Sequence, residues 1–303
     1  MEEIFILSKL KYLFGPMRLP FVILTPVCVL LGFSTAVWTS ASLNVLHVIL
    51  TFIGGITAHI SVNAFNEYFD FKSGLDARTS RTPFSGGSGT LQQKPELANQ
   101  ALGTAITTFI ITGLIGIFFL LVRGLMLLPL GFLGLFLLIA YTPWFARSPL
   151  LCLIAPGLGF GTLMVMGTAY VLTGHYSTTA FVASLVPFFL VSNLLLLNQF
   201  PDVEADRSIG RRHYPIVIGR RASSLIYGAF LLLTYLTILL GVALKYLPPI
   251  SLIGLLTLIL AIPTFIGVYR HSEDVKQLIP YMGRSVSVIL LTPLLVSIGL
   301  LLG

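Results

Sequence analysis

Charged residues are scarce in this sequence of 303 residues. Asp, Glu, Lys and Arg together make up 10% of the chain, whereas a soluble globular domain typically carries about 25%. Hydrophobic residues make up 56%, and the mean hydropathy is +0.95. This composition excludes a soluble globular domain and predicts an all-α integral membrane protein, with residues 1–303 forming a single transmembrane domain.

Cysteine is also scarce. Cys28 and Cys152 are the only two cysteines, and both lie in apolar runs outside any CxxC pattern, so we expect packing thiols and no disulfide framework. The sequence has no cluster of His and Cys with the spacing of a zinc site. It also lacks a platform of basic and aromatic residues that would bind RNA, so the net charge of +7 does not indicate a nucleic-acid partner.

Long apolar runs, by contrast, are abundant. A helix that crosses the hydrocarbon of a membrane needs roughly 20 apolar residues, and nine segments approach or exceed this length. They are 18–38, 43–66, 100–122, 124–141, 150–172, 178–199, 222–244, 247–269 and 284–302. The fourth segment is short, which leaves a tilted span or a re-entrant segment open. The sequence therefore predicts a bundle of nine transmembrane helices.

The charged residues fall mostly on one side of this bundle. Of the 18 Lys and Arg residues, only Arg123 and Lys245 fall on the other side, and all 11 acidic residues share the charged side. The positive-inside rule predicts that this side is cytoplasmic, so we expect a protein of the inner (plasma) membrane. Two long loops, approximately 67–99 and 200–221, are expected to cap the bundle there.

A polar stripe interrupts the second apolar segment. The stripe consists of His59, Asn63, Asn66 and Asp70, at positions i, i+4, i+7 and i+11. Residues at these intervals share one face of a helix. Polar groups at membrane depth are costly and usually line a functional cavity or pair with another helix. The stripe therefore predicts the wall of a site.

A second stripe ends the sixth apolar segment, where Asn198, Asp202 and Asp206 follow at i, i+4 and i+8. Its first two residues repeat the Asn-x-x-x-Asp element of the first stripe 132 positions later. If the two stripes face each other, four carboxylates converge and need cations. These carboxylates belong to Asp70, Asp76, Asp202 and Asp206. Such oxygen ligands suit Mg²⁺, which often shares its coordination sphere with substrate phosphates.

The same loops carry cations that suit a polyanion such as a diphosphate, whose apolar tail would run into the bundle. These cations are Lys72, Arg78, Arg81, Arg147, Arg207, Arg211 and Arg212. The segment 81–90 is rich in Gly and Ser, and is either a flexible linker or a loop that presents backbone N–H groups to an anion. Two alternatives remain open at this point, a solvated surface of ordinary salt bridges and a transporter of phosphorylated lipid.

The residues around both stripes resemble the UbiA superfamily of intramembrane prenyltransferases. The first motif is Asn66-Glu-Tyr-Phe-Asp70-Phe-Lys-Ser-Gly-Leu-Asp76, and the second is Asp202-Val-Glu-Ala-Asp206-Arg-Ser-Ile-Gly-Arg211. The gap between the last two Asp residues of the first motif is most similar to the 1,4-dihydroxy-2-naphthoate polyprenyltransferase branch. The segment 159–174 in the fifth span is also similar to that branch.

This resemblance implies nine helices around a central cavity, with Mg²⁺-dependent transfer of a prenyl group from a polyprenyl diphosphate to an aromatic acceptor within the lipid membrane, in quinone biosynthesis. It implies two Mg²⁺ ions, with Asn66, Asp70, Asp76, Asp202 and Asp206 as the ligands. It implies contacts to the diphosphate from Arg18, Lys72, Arg78, Tyr141, Arg147 and Arg211. Asn63 and Asn198 are expected to line the acceptor cavity.

The sequence departs from this pattern at three places. Glu67 replaces an Asp of the first motif, Phe160 stands where the dihydroxynaphthoate enzymes carry an acid, and His213 with Tyr214 replaces a Thr-Leu pair. The acceptor therefore remains open between dihydroxynaphthoate and hydroxybenzoate, homogentisate or a glycerol lipid, and a terpene cyclase without an acceptor is a further alternative.

The role of His59 is open at this point. It is a candidate catalytic residue that contacts the acceptor or moves a proton. A buried His bonded to Asn63 or to a backbone carbonyl is equally consistent with the sequence.

Overall fold

The computed structural model describes residues 14–39, 43–75 and 78–303, and all regular structure within these ranges is helical. We number the main helices in chain order. They are α1 (Leu24–Thr39), α2 (Val45–Lys72), α3 (Ala98–Arg123), α4 (Leu128–Ala140), α5 (Pro149–Thr173), α6 (Thr178–Ser208), α7 (Gly219–Ala243), α8 (Pro249–Arg270) and α9 (Val275–Leu302).

Local sequence sets where several of these helices begin and end. Asn44 caps α2, because its side-chain oxygen accepts hydrogen bonds from the backbone N–H groups of Leu46 at 2.9 Å and His47 at 3.3 Å. Gly174 ends α5 with a φ of 86°, a left-handed conformation that suits glycine. These signals determine where α2 begins and where α5 ends.

Helix α6 lies at the centre of the bundle and packs against α1, α5, α7 and α9. Its apolar stretch is 67% buried, compared with 11% for the stretch Pro95–Arg123 that contains α3, so α6 forms core while α3 leaves most of its surface for lipid. Small residues permit the close approach of α5. A Cβ atom at Gly161 would lie 2.4 Å from the backbone nitrogen of Phe188 on α6.

The structure confirms an all-α membrane bundle, but the expected count of nine spans is not confirmed. Seven helices of the described residues are long and apolar enough to cross a membrane, and α1 together with the preceding segment Gly15–Val22, bent by 45°, is an eighth. The remaining apolar helix, α4, has 13 residues. At 1.5 Å per residue it rises only about 20 Å, less than the roughly 30 Å of hydrocarbon.

Helices α2 and α6 continue past the expected ends of their spans at 66 and 199, as far as Lys72 and Ser208. Polar side chains end an apolar run without breaking a helix, because the backbone hydrogen bonds can continue. The acidic residues described below therefore lie on rigid helix ends, and the connecting loops are shorter than the expected caps. Residues 1–13, 40–42 and 76–77 lie outside the described part of the chain.

Candidate active site

Two adjoining cavities lie beside the ends of α2 and α6. The larger one, which we call the main cavity, has a volume of about 960 Å³ and mostly apolar walls from α2, α3, α4 and α5. The smaller one, which we call the polar cavity, has a volume of about 120 Å³ and is lined by Asp70, Asp202, Asp206, Arg211 and His213. Residues that line both cavities include Arg18, Asn66, Tyr141 and Asn198. The two cavities together suit a ligand with a charged head and an apolar tail.

Arg211 connects the two acidic stripes across the polar cavity. Its guanidinium donates one hydrogen bond to Asp70 on α2 and another, of 2.9 Å, to Oδ1 of Asp206 on α6. Burial by itself lowers the pKa of the Arg211 guanidinium, but the carboxylates of Asp70 and Asp206 outweigh that effect and raise the pKa above its usual value. Carboxylates from two helices thus hold one cation between them.

His213 contacts Asp206, the residue of α6 that also binds Arg211. Its Nε2 lies 2.9 Å from Oδ2 of Asp206, so both oxygens of that carboxylate have partners. The imidazole is buried, and its Nδ1 has no hydrogen-bond partner in the part of the chain that the structure describes. The short helix Tyr214–Val217 begins immediately after His213.

Asp202 lies one helical turn before Asp206 on the same face of α6. Its Oδ1 is buried and has no hydrogen-bond partner among the described residues. A buried polar atom without a partner is unfavourable by about 1–3 kcal/mol, and more when it is charged. The orphaned oxygen indicates that the site is built for a cation or a donor that completes it.

The amide side chains of the stripes face the boundary between the cavities. Asn66 donates from Nδ2 to Oγ1 of Thr142 at 3.2 Å, which leaves its carbonyl oxygen available as a ligand. Asn63 donates to the backbone oxygen of Met17 at 3.0 Å and lines the main cavity. Asn198 lines both cavities. The structure thus brings the three Asn residues of the stripes to one connected space.

Glu67, which departs from the family motif, points away from the acidic cluster. Its buried carboxylate accepts hydrogen bonds from Nε and Nη2 of Arg18 at 3.0 and 2.9 Å. It also accepts from the backbone N–H of Ser88 at 3.1 Å and from the hydroxyl of that residue. Glu67 therefore ties the Gly- and Ser-rich segment 81–90 to α2, and Arg18 reaches the cavities as the partner of Glu67.

Three basic residues expected at the diphosphate line neither cavity. Lys72 lies two residues beyond Asp70 and therefore on another face of α2. Its side chain is exposed, and its Nζ lies 5.6 Å from the ring centroid of Tyr68. Arg147 is exposed at the end of the turn before α5. Arg78 is exposed as well and donates to Oγ of Ser208 at 3.0 Å, which joins the loop that follows α2 to the end of α6.

The other three residues expected to contact the diphosphate, Arg18, Tyr141 and Arg211, line the polar cavity. The expected metal ligand Asp76 lies outside the described residues.

Two polar residues of the site were not expected from the sequence. Thr142 holds the amide of Asn66, and Gln199 lines the polar cavity while its Nε2 contacts Sγ of Cys152 at 3.2 Å. Thr142 lies on the turn after α4, far from either motif in the sequence, so no periodic signal identifies it. Gln199 follows Asn198 directly, and this pair of amides at the end of an apolar segment was an available signal.

The donor set fits Mg²⁺. It consists of carboxylate and amide oxygens, it includes the orphaned oxygen of Asp202, and two of its members, Asp70 and Asp206, already contact the guanidinium of Arg211. Within the described residues, no three His, Cys, Asp or Glu side chains form a cluster that could hold a metal ion. Mg²⁺ usually keeps several waters and takes further oxygens from a bound phosphate, so a complete protein cage is not required.

Comparison with known proteins agrees with these features. The model of the UbiA prenyltransferase family matches residues 25–286. The 1,4-dihydroxy-2-naphthoate octaprenyltransferase of Bacillus subtilis is 27% identical over 186 residues. This match covers 58% of the chain and 56% of the Bacillus protein, so it spans little more than half of that relative.

Two solved structures share the fold. A UbiA homolog from Aeropyrum pernix K1 in its apo form has a TM-score of 0.71 and 17% identity, and the match covers 94% of this chain and 98% of that one. A UbiA homolog from Archaeoglobus fulgidus bound to DMAPP and Mg²⁺ has a TM-score of 0.67 and 13% identity, with the same coverage of 94% and 98%. At these identities the likeness establishes the fold.

Proposed function

The chain belongs to the UbiA prenyltransferase family, and we propose that it transfers a polyprenyl group from a polyprenyl diphosphate to an aromatic acceptor inside the membrane. The acceptor that we propose is 1,4-dihydroxy-2-naphthoate or a close analogue, in quinone biosynthesis. The name of the Bacillus subtilis relative and the spacing of the first motif support this choice.

One observation carries the proposal. Acidic residues on two separate helices, Asp70 on α2 and Asp206 on α6, share one cation at the mouth of a large apolar cavity. Burial of carboxylates lowers the stability of the protein unless a nearby cation balances their charge. A site that combines paired carboxylates, a guanidinium and an apolar space of about 960 Å³ suits a diphosphate with an isoprenoid tail.

Asp70, Asp202, Asp206 and the carbonyl oxygen of Asn66 would hold two Mg²⁺ ions, with Asp76 as a further ligand. When bound, Mg²⁺ neutralises the charge that develops on the diphosphate as the allylic C1–O bond breaks. The residues of this chain then have separate roles. Arg211 donates hydrogen bonds to the diphosphate oxygens, and His213 keeps the carboxylate of Asp206 oriented through its Nε2.

The role of the main cavity in this reaction is to exclude water from the reacting carbon. As the C1–O bond breaks, its electron pair leaves with the diphosphate and C1 gains carbocation character, which water would quench. The apolar walls and the segment 81–90, fastened to α2 through Glu67, shield this carbon. A ring carbon of the acceptor, held in contact with C1, forms the new C–C bond and then loses its proton.

We also propose that the site faces the cytoplasm across the inner membrane. With α4 counted as a span, the acidic helix ends and the loops that follow them fall on the side that holds all but two of the basic residues, which supports this orientation.

Turnover with a defined donor tests the function. Membranes that contain the protein, geranylgeranyl diphosphate, Mg²⁺ and 1,4-dihydroxy-2-naphthoate are expected to yield pyrophosphate and a prenylated naphthoate, detected by mass spectrometry. Asp202→Asn is expected to lower the rate by about 100- to 1,000-fold, the usual effect of removing one group that stabilises developing charge. Glu204→Gln, on the exposed face of the same helix, is the matched control and is expected to retain the wild-type rate.

Other outcomes select other functions. Pyrophosphate release without an acceptor, together with cyclic hydrocarbons, identifies a terpene cyclase. Prenylation of hydroxybenzoate, homogentisate or a glycerol lipid in place of the naphthoate keeps the prenyl transfer and corrects the acceptor. An absence of pyrophosphate release with every donor and acceptor contradicts the enzyme and favours a transporter of phosphorylated lipid.

A further inference from the structure

His59 lies in the wall of the main cavity, and its partner is neither Asn63 nor a backbone carbonyl. The Nδ1 atom of the imidazole lies 2.8 Å from Oγ1 of Thr25, a fully buried residue on the neighbouring helix α1. The other ring nitrogen, Nε2, has no hydrogen-bond partner among the described residues. Because His59 lines the main cavity and its Nδ1 is bonded to Thr25, Nε2 is the polar atom of the ring that remains for a ligand.

The bond to Thr25 determines which nitrogen carries the proton. The Thr25 hydroxyl has no second partner in the described part of the chain, so its hydrogen is satisfied only if it donates to Nδ1. An Nδ1 atom that accepts a hydrogen bond is unprotonated. The neutral imidazole then carries its proton on Nε2 and is a hydrogen-bond donor toward the cavity.

The wall beside His59 suits a flat aromatic ring. The ring of Phe160 meets the imidazole edge to face, with 4.5 Å between centroids, and both line the main cavity. Phe160 belongs to a π-helical segment, Leu158–Leu163, within α5; such segments are frequent at functional sites. A Cβ atom added at Gly159 would meet no atom within 4 Å, so space is open next to this pair.

The position of His59 along α2 also suits a residue that contacts a ligand near the polar cavity. It lies eleven residues before Asp70, which is about 16 Å along the helix axis, and seven residues before Asn66, about 10 Å. Asn66 lies at the boundary with the polar cavity. A ligand that contacts His59 therefore lies in the main cavity, within about two helical turns of the end where the diphosphate is expected.

We propose that His59, Thr25 and Phe160 form the binding subsite for the acceptor, in which the Nε2–H of His59 donates to an oxygen substituent on the acceptor ring while Phe160 packs against the ring itself. The proposal rests on the proposed prenyl transfer. The ligand class is an aromatic compound that carries a hydroxyl or carboxylate oxygen. Thr25 is a positioning residue, because it fixes the tautomer and the orientation of the imidazole without reaching the ligand.

Steady-state kinetics with geranylgeranyl diphosphate and 1,4-dihydroxy-2-naphthoate test the subsite. His59→Phe keeps an aromatic ring and removes the donor, so the KM for the naphthoate is expected to rise about tenfold, as for the loss of one hydrogen bond. Thr25→Val keeps the shape of the side chain and removes the hydroxyl, and a rise of about threefold is expected. The KM for the diphosphate is expected to stay within about twofold of the wild-type value in both variants.

His47→Phe is the matched control, because His47 lies on the same helix but lines neither cavity and instead contacts Arg123. It is expected to leave both KM values unchanged. An acceptor KM in His59→Phe that equals the wild-type value overturns the subsite, and so does a parallel rise of both KM values. An unchanged KM for the diphosphate shows that the variants are folded. Wild-type protein that transfers no prenyl group to any acceptor contradicts the proposed function instead, so the two failures are distinguishable.

Discussion

Arg211 donates a hydrogen bond to Asp70, which lies 141 positions earlier in the chain, and this contact joins the loop after α6 to the end of α2. The same guanidinium bonds to Asp206. It therefore lies between two carboxylates, a position that would also suit a divalent cation. We expect that a divalent cation held by Asp70 and Asp206 would compete with the Arg211 guanidinium, which would then be available for the diphosphate.

This relationship gives a prediction about metal affinity. Arg211→Gln removes the competing cation, so Mn²⁺, used as a spectroscopic substitute for Mg²⁺, is expected to bind about tenfold more tightly in the absence of diphosphate. The same variant is expected to lose most of its turnover, because the diphosphate loses a charged donor. Electron paramagnetic resonance titration of free Mn²⁺ measures the affinity independently of activity.

Arg212→Gln is the control for this experiment, because Arg212 is the adjacent guanidinium and lines neither cavity. Its Mn²⁺ affinity is expected to match that of the wild type. If Arg211→Gln binds Mn²⁺ more weakly than the wild type, Arg211 supports the metal site and does not compete with it.

Glu67 is expected to contribute strongly to stability. Its fully buried carboxylate accepts from Arg18 and from Ser88, so Glu67→Ala removes one partner of a buried ion pair and releases the segment 81–90. Breaking such a pair typically lowers the free energy of unfolding by about 3–5 kcal/mol. Thermal unfolding in detergent measures the loss, and limited proteolysis within the segment 81–90 reports its release from α2.

The exposed ion pair between Glu204 and Arg207, 3.1 Å apart on α6, provides the comparison. Glu204→Ala is expected to change the free energy of unfolding by about 0–1 kcal/mol, the usual range for a surface pair. Equal stabilities of the Glu67 and Glu204 variants would show that the buried pair has no special role.

The packing of α5 on α6 depends on Gly161. Gly161→Ala places a Cβ atom 2.4 Å from the backbone nitrogen of Phe188, and relief of this overlap requires the helices to separate. We expect a loss of about 1–3 kcal/mol in the free energy of unfolding. Gly103→Ala on α3 adds the same methyl group where no atom lies within 4 Å, and higher helix propensity predicts unchanged or slightly greater stability. Denaturation of both variants under one set of detergent conditions tests the difference.

The bundle and the polar stripes could be predicted from the sequence because both are periodic signals. Apolar runs of about 20 residues identify most of the membrane helices, and the interval of three to four residues places Asn66 with Asp70 and Asp202 with Asp206. The convergence of these residues on one small cavity follows from how α2 and α6 each pack against α1 and α5. No pattern in either helix alone specifies that packing.

Three features differ from the sequence prediction, and only the first of them depends on contacts between distant segments. Glu67 resembles a conservative change within an acidic motif, yet its partners are Arg18 and Ser88. Lys72 lies within the motif in sequence but on another face of α2. The short span at 124–141 has the composition of a membrane helix, but the helix proper begins only at Leu128, after a glycine with a φ of 86° and a short turn.

The orientation of the site is open to direct measurement. Ser80 is exposed on the loop after α2, and His175 is exposed on the loop between α5 and α6, which lies on the opposite side if both helices span the membrane. In a background that lacks Cys28 and Cys152, Ser80→Cys is expected to react with a membrane-impermeant maleimide only when the reagent reaches the cytoplasmic face. His175→Cys is expected to react only from the outside, because the positively charged loops determine orientation during insertion. Labelling of Ser80→Cys from outside in intact cells would place the acidic helix ends away from the cytoplasm and reverse the proposed orientation.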